Sequence, residues 1–182
     1  MSTLLILIVA VVQTLALFWM IGDRQAMLNA SRVVTLKIVP VDPRDMFRGD
    51  YVILSYAISS LDTSKLDGED KFMSGDTIYV TLAQANGEWT AAAVGHRPIA
   101  VQGGVALKGT VQSANDSGTT AQLRVEYGIE SYFVPEGTGR TIEVEAQGGD
   151  LAADIAVDAQ GRAAIKAIRR KDGAVIYVEG IL

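Results

Sequence analysis

Cysteine is absent from this chain, histidine occurs once (His96), and only four prolines and two tryptophans are spread over 182 residues. Without thiols there is no disulfide, no thiolate metal site and no cysteine nucleophile. A lone histidine in "VGHRPIA" offers neither a zinc ligand set nor the base of a Ser-His-Asp triad beside a nucleophile elbow. It reads as a solvated residue in a linker. No glycine-rich phosphate loop of the Walker or Rossmann type is present, and no cofactor or metal is expected. Carboxylates are plentiful, but a glycosidase normally builds its cleft on a larger scaffold. Basic residues are in deficit, 16 Lys and Arg against 21 Asp and Glu, which argues against nucleic acid and against docking on anionic lipid.

Charge is also missing from residues 3–21, "TLLILIVAVVQTLALFWMI", where Gln13 is the one strongly polar side chain. A helix rising 1.5 Å per residue over that length covers roughly the 30 Å hydrocarbon core of a bilayer. Phe18 and Trp19 stand near its end, where amphipathic rings favour the interface. "GDRQAMLNAS" offers no convincing cleavage pair, so residues 1–24 are read as a retained anchor and 25–32 as a juxtamembrane linker. Arg24 and Arg32 follow the run and no basic residue precedes it, a bias toward a cytoplasmic C-terminal side. Long domains translocate largely regardless of such charges.

From residue 33 the pattern becomes that of a mainly β protein. The runs 33–40, 51–59, 76–83, 88–95, 105–112, 119–128, 161–168 and 174–180 are separated by glycine-containing breaks, as in an antiparallel barrel or sandwich. Asn86-Gly87 predicts a hairpin turn. In 138–147 the alternation of Ile142, Val144 and Ala146 competes with a cap at Thr138, and a short helix is favoured.

The halves resemble each other. "VTLK" (34–37) matches "VALK" (105–108), "LSYAISS" (54–60) matches "VEYGIES" (125–131), and "VTLAQANGE" (80–88) matches "IAVDAQGR" (155–162) with one residue lost. Residues 33–95 and 104–168 are therefore read as two copies of one β unit, too small to fold apart, followed by a final strand 174–180.

In "VDPRDMFRGDYVILSY" (41–56), Asp42, Pro43, Arg44, Asp45, Arg48, Gly49 and Asp50 crowd one turn ahead of a strand opening at Tyr51. These charges pair with one another to fix the strand start, or Arg44 and Arg48 present guanidinium forks to an anionic ligand or partner. In "YFVPEGTGR" (132–140), Tyr132 and Phe133 either plug the β core or join Glu136 and Arg140 in a contact surface. That segment replaces "LDTSKLDGEDKFMSG" (61–75) of the first copy, and diverged loops on a shared scaffold are where recognition tends to sit.

"GDYVILSY" (49–56), with Leu54 and Tyr56 in place, matches in full the signature that names the GDYXXLXY family, and "YGIESYFVPEGTG" (127–139), which opens on Tyr127, is similar to that family's second marked stretch. The resemblance implies a bacterial protein with an N-terminal anchor that accompanies polytopic membrane proteins, and it transfers no reaction. "DMFRGDYV" also looks like the opening of type I signal peptidases, but Asp45 holds the position of the serine and no lysine base follows. The expectation is a non-enzymatic single-pass protein of the bacterial inner membrane with a periplasmic β domain. It would be held by the bilayer through residues 3–21 and serve as an accessory subunit of an integral membrane complex. The alternative is a domain binding a small anionic metabolite or glycan, and the remote alternative is a hydrolase or peptidase-like enzyme.

Overall fold

The computed structural model describes residues 2–29, 32–39, 51–116, 121–133, 148–149, 151–170 and 172–178. The charged turn at 42–50, Glu136, Arg140 and the ambiguous segment 138–147 lie outside these residues.

Helix α1 spans Ser2–Leu28. Up to Ile21 it carries no charge and is apolar on every face, and no proline interrupts it, so backbone hydrogen bonding is satisfied within the helix itself. Thr14 donates its hydroxyl to the Ala10 carbonyl at 2.8 Å, hiding a polar group inside the apolar run. Leu4 through Ile21 expose their large side chains, and no other part of the described chain covers them. The helix continues through 25–28, four residues into the stretch read as linker, and Leu28 turns into the β domain, where it is buried.

The rest is β structure, with sheets that curl half-way toward a barrel. The strands are β1 (Arg32–Val39), β2 (Tyr51–Ile53), β3 (Ser55–Tyr56), β4 (Ser60–Asp62), β5 (Asp67–Gly68), β6 (Thr77–Ala85) and β7 (Glu88–Gly95). They continue as β8 (Val105–Asp116), β9 (Ala121–Glu126), β10 (Ser131–Phe133), β11 (Leu151–Val157), β12 (Ala163–Arg170) and β13 (Val175–Val178). In β1 alternate residues Val34, Leu36 and Ile38 face the core while Val33, Thr35 and Lys37 face out, the period a half-buried strand requires. The 51–59 run is not one strand: it breaks at Leu54 and ends in a 3₁₀ turn, Ala57–Ser59. Asn86 and Gly87 both take positive φ, 53° and 85°, as a two-residue turn between paired Ala85 and Glu88 demands.

One sheet runs β13-β12-β11-β1-β3, another β4-β9-β8-β6-β7-β5, and β10 pairs with β2. The chain thus interlocks. Strand β1 pairs with late β11, and β8 pairs with early β6. Val39↔Ser55 in β1–β3 has its counterpart in Thr110↔Glu126 of β8–β9. Hairpin β6–β7 is bulged between Thr81 and Leu82, and β11–β12 between Asp154 and Ile155. Buried Ile78, Val80, Thr81 and Leu82 occupy the places of buried Leu151, Ala153, Asp154 and Ile155. The sequence match sets Val80 against Ile155, whereas the pairings Leu82↔Val105 and Ile155↔Val34 put Leu82 there. The second hairpin has the longer connection, its last strand pair being Val157↔Ala163 against Ala85↔Glu88 in the first.

The core is one continuous cluster of side chains from nearly every strand, with Leu36, Leu54, Tyr56, Ile78, Leu107, Ile129 and Ile155 fully buried. Each such side chain contributes about 1.5–3 kcal/mol relative to exposure.

Candidate functional site

The signature strand and the second marked stretch meet in space. β2 and β10 pair as Val52↔Tyr132 and Tyr51↔Phe133, and the Leu54 N–H donates to the Glu130 carbonyl at 2.7 Å. Leu54 and Tyr56 point inward, each 1% exposed, because they share a parity with the buried side of the strand. Tyr132 is buried in the same core; of Tyr51 and Phe133 only the backbone pairing is described.

Two tyrosines form a reciprocal clamp. The Tyr56 hydroxyl donates to the Ile129 carbonyl at 2.7 Å, and the Tyr127 hydroxyl donates to the Ile58 carbonyl at 2.7 Å. The main chain repeats the pattern: the Tyr56 N–H donates to Ser59 Oγ at 3.2 Å and the Tyr127 N–H to Glu130 Oε1 at 2.7 Å. Burial, with the nearby Glu130 charge adding to it, pushes both phenols far above their ordinary range. They remain neutral donors and are unsuited to proton transfer. Burial also raises the Glu130 carboxyl, although three backbone N–H groups work against it. The end of the signature is thus a structural fastener.

A cavity of about 410 Å³ lies between the connector after β4 and strands β8 and β9. Phe72, Met73 and Leu123 give it apolar walls; Asp70, Lys71 and Gln122 add polar ones. His96 stands at its edge, half-exposed and held rather than merely solvated. Its Nδ1 lies 2.5 Å from Glu69 Oε2, its Nε2 lies 3.3 Å from Asp76 Oδ2, and its backbone N–H donates to Glu69 Oε1 at 3.0 Å. The Phe72 ring packs on the imidazole, centroids 5.2 Å apart. The Glu69 hydrogen bond, then that of Asp76, raises the histidine above its ordinary value. The histidine in turn lowers Glu69, while Asp76 is lowered first by the Met73 N–H and then by His96. Sequence reasoning identified 61–75 as a diverged connector but missed this site, since its partners are separated by 20 and 27 positions. The acidic stretch "DGEDKF" ahead of the only histidine was the available signal.

A third cluster joins α1 to the β domain. Arg162 forks onto Asp23 with bonds of 3.0 and 3.1 Å, and its Nε donates to Asp158 Oδ2 at 2.6 Å. The Asp23 bonds, then those of Asp158, hold the guanidinium firmly charged. A groove beside it, lined by Lys108, Thr110, Gln112, Glu126 and Arg162, has its polar groups largely self-paired, Gln112 with Glu126 and Arg162 as above. Among the described residues no group of three His, Cys, Asp or Glu side chains is placed to hold a metal ion. Of the residues expected to bind, Arg44, Arg48, Asp50, Glu136 and Arg140 lie outside the described residues, as do Asp42, Pro43, Asp45 and Gly49 of the turn.

No curated protein and no solved structure matches the chain. The family model described as GDYXXLXY protein matches residues 13–168, from within the apolar helix to strand β12. With that match covering most of its length and both marked stretches paired in one fold, the chain belongs to the GDYXXLXY protein family.

Proposed function

We propose that this protein is an anchored β domain serving as an accessory or assembly subunit of a membrane complex, without a reaction of its own. It crosses the bacterial inner membrane once and carries the β domain on the periplasmic side. The observation that carries this reading is the helix: its apolar flanks are bare while its end is fastened to the domain through Asp23, Leu28 and Arg162. A bare helix with a domain held at its foot can offer both surfaces to one lateral partner, and confinement in the bilayer raises the effective concentration of a weak interface. Gln13 gives the helix one amide able to bond a neighbouring helix.

We also infer that the domain is a fused pair of like units, 33–95 and 104–168, closed by the final strand. The reciprocal tyrosine bonds, the matched registers and the two equivalent bulges support this. Each unit lends its first strand to the hairpin of the other, so neither is expected to fold alone.

Extraction of the native protein in mild detergent, followed by identification of what travels with it, tests the subunit reading. Recovery of a specific integral membrane protein is expected; a lone monomer under several mild conditions contradicts it. The cavity at Phe72 and His96 favours a second reading, a small-ligand site. Thermal-shift screening with small anionic metabolites and glycans tests it, a reproducible rise being the expected sign.

A further inference from the structure

The segment Asp70–Ser74 covers the cavity and is fixed at both ends by backbone bonds that do not titrate. At one end the Glu69 N–H donates to the Val94 carbonyl at 2.9 Å; at the other the Gly75 N–H donates to the Val111 carbonyl at 2.8 Å and the Val111 N–H to the Asp76 carbonyl at 2.9 Å. Gly68 and Gly75 flank it with φ of 111° and 93°, and Met73 at its crest is 74% exposed. Ser74 Oγ donates to the Gln112 carbonyl, the Met73 N–H donates to Asp76 Oδ2 at 2.7 Å and the Asp76 N–H donates to the Met73 carbonyl at 3.1 Å; the remaining ties run through His96, with the Phe72 ring against the imidazole and the Glu69 and Asp76 carboxylates on its two nitrogens. A neutral imidazole carries one N–H and can donate to one carboxylate only. The imidazolium donates to both.

We propose that His96 is a proton-operated clasp, which as imidazolium bridges Glu69 and Asp76 and closes Asp70–Ser74 over the cavity, and as neutral imidazole releases it. The proposal stands apart from the subunit reading and concerns the end of the domain away from α1. The other charged groups near the clasp are Arg97, which acts on Glu69, and Asp70 and Lys71 on the cavity wall. His96 is raised from 6.5, so its share of the closure is complete below that pH and is lost as pH rises through the folded value. Glu69 and Asp76 are lowered from 4.5 and 3.8, so their share is present above those values and is lost as pH falls through the folded ones. The clasp is therefore tightest between about pH 4.5 and 6.5. The groups are partly exposed, so salt weakens it.

The test uses the full chain in detergent micelles. His96 is the only histidine, so its ring signals in an NMR titration need no assignment mutants. The expected result is an imidazole midpoint above 6.5 with the Met73 methyl signal moving on the same curve. In parallel, hydrogen exchange of 70–74, corrected for intrinsic rates, should lose protection between pH 5.5 and 8.5, while Glu69, Gly75, β6 and β8 stay protected. In His96→Gln that segment should be poorly protected at both pH values. A Met73 signal indifferent to the histidine titration, or a wild-type pH dependence of exchange that survives in His96→Gln, overturns the proposal. Should the variant not fold, the wild-type titration decides alone.

Discussion

Tyr56 and Tyr127 each spend a buried hydroxyl on a carbonyl two residues past the other tyrosine. Replacing either by phenylalanine removes a bond and leaves a carbonyl unsatisfied in the core, which costs about 1–3 kcal/mol. Thermal unfolding of detergent-solubilised Tyr56→Phe and Tyr127→Phe should show a loss of that size for each. The two sites share a core cluster, so the double variant should fall short of the sum. The role of Tyr56 was only half legible beforehand. Its alternation put it on the same side of the strand as Leu54 without saying which side is buried, and its alignment with Tyr127 paired the two in kind. That each phenol reaches the partner's carbonyl depends on how the two sheets meet, which no local spacing encodes. His96 illustrates the opposite failure: the acidic stretch ahead of it is only a faint signal, and it is the fold that delivers Glu69 and Asp76 to it.

At the scale of elements, period-two alternation and glycine punctuation located most strands to within a few residues, and 88–95 coincides with β7. The strands absent from the expectation are β4, β5, β10 and β11. β10 is three residues beside a Pro-Glu-Gly stretch that reads as a turn. β11, "LAADIAV", is buried at every residue but one and rich in alanine, so neither alternation nor β-branching marks it. Its Asp154 is buried. In the fold it accepts from the Thr35 hydroxyl at 2.8 Å and from Arg169 Nε, which is how a carboxylate is tolerated there. Short β5 depends on Gly68, whose φ is 111° and where a Cβ would fall 2.2 Å from the Val94 carbonyl oxygen. Gly68→Ala should therefore detach β5 from β7 and cost about 2 kcal/mol or more. Lost exchange protection at Glu69, with β6–β8 pairing retained, would confirm that the damage is local.

Across the whole molecule, α1 and the cavity lie toward opposite ends of β8: the β11–β12 turn that seats the helix touches Lys108, whereas the cavity reaches Ala114. The Arg162–Asp23 fork is exposed and screened by water, so its deletion should leave stability nearly unchanged. Its expected effect is on orientation. Arg162→Ala should broaden the distance distribution between spin labels on α1 and on β13, and the exchanged pair Asp23→Arg with Arg162→Asp should narrow it again. An unchanged distribution in Arg162→Ala would mean that packing at Leu28 alone sets the orientation. The apolar helix itself was the most legible feature of the sequence, since length and lack of charge mark it as long and apolar enough to cross a membrane. What its bare flanks would meet in a bilayer is decided outside this chain. Photo-crosslinking from Leu5, Val12 and Leu15 in native membranes tests that point most directly. The account predicts a discrete protein adduct, the same integral membrane protein from at least one helix face; adducts with lipid alone from every position would contradict it.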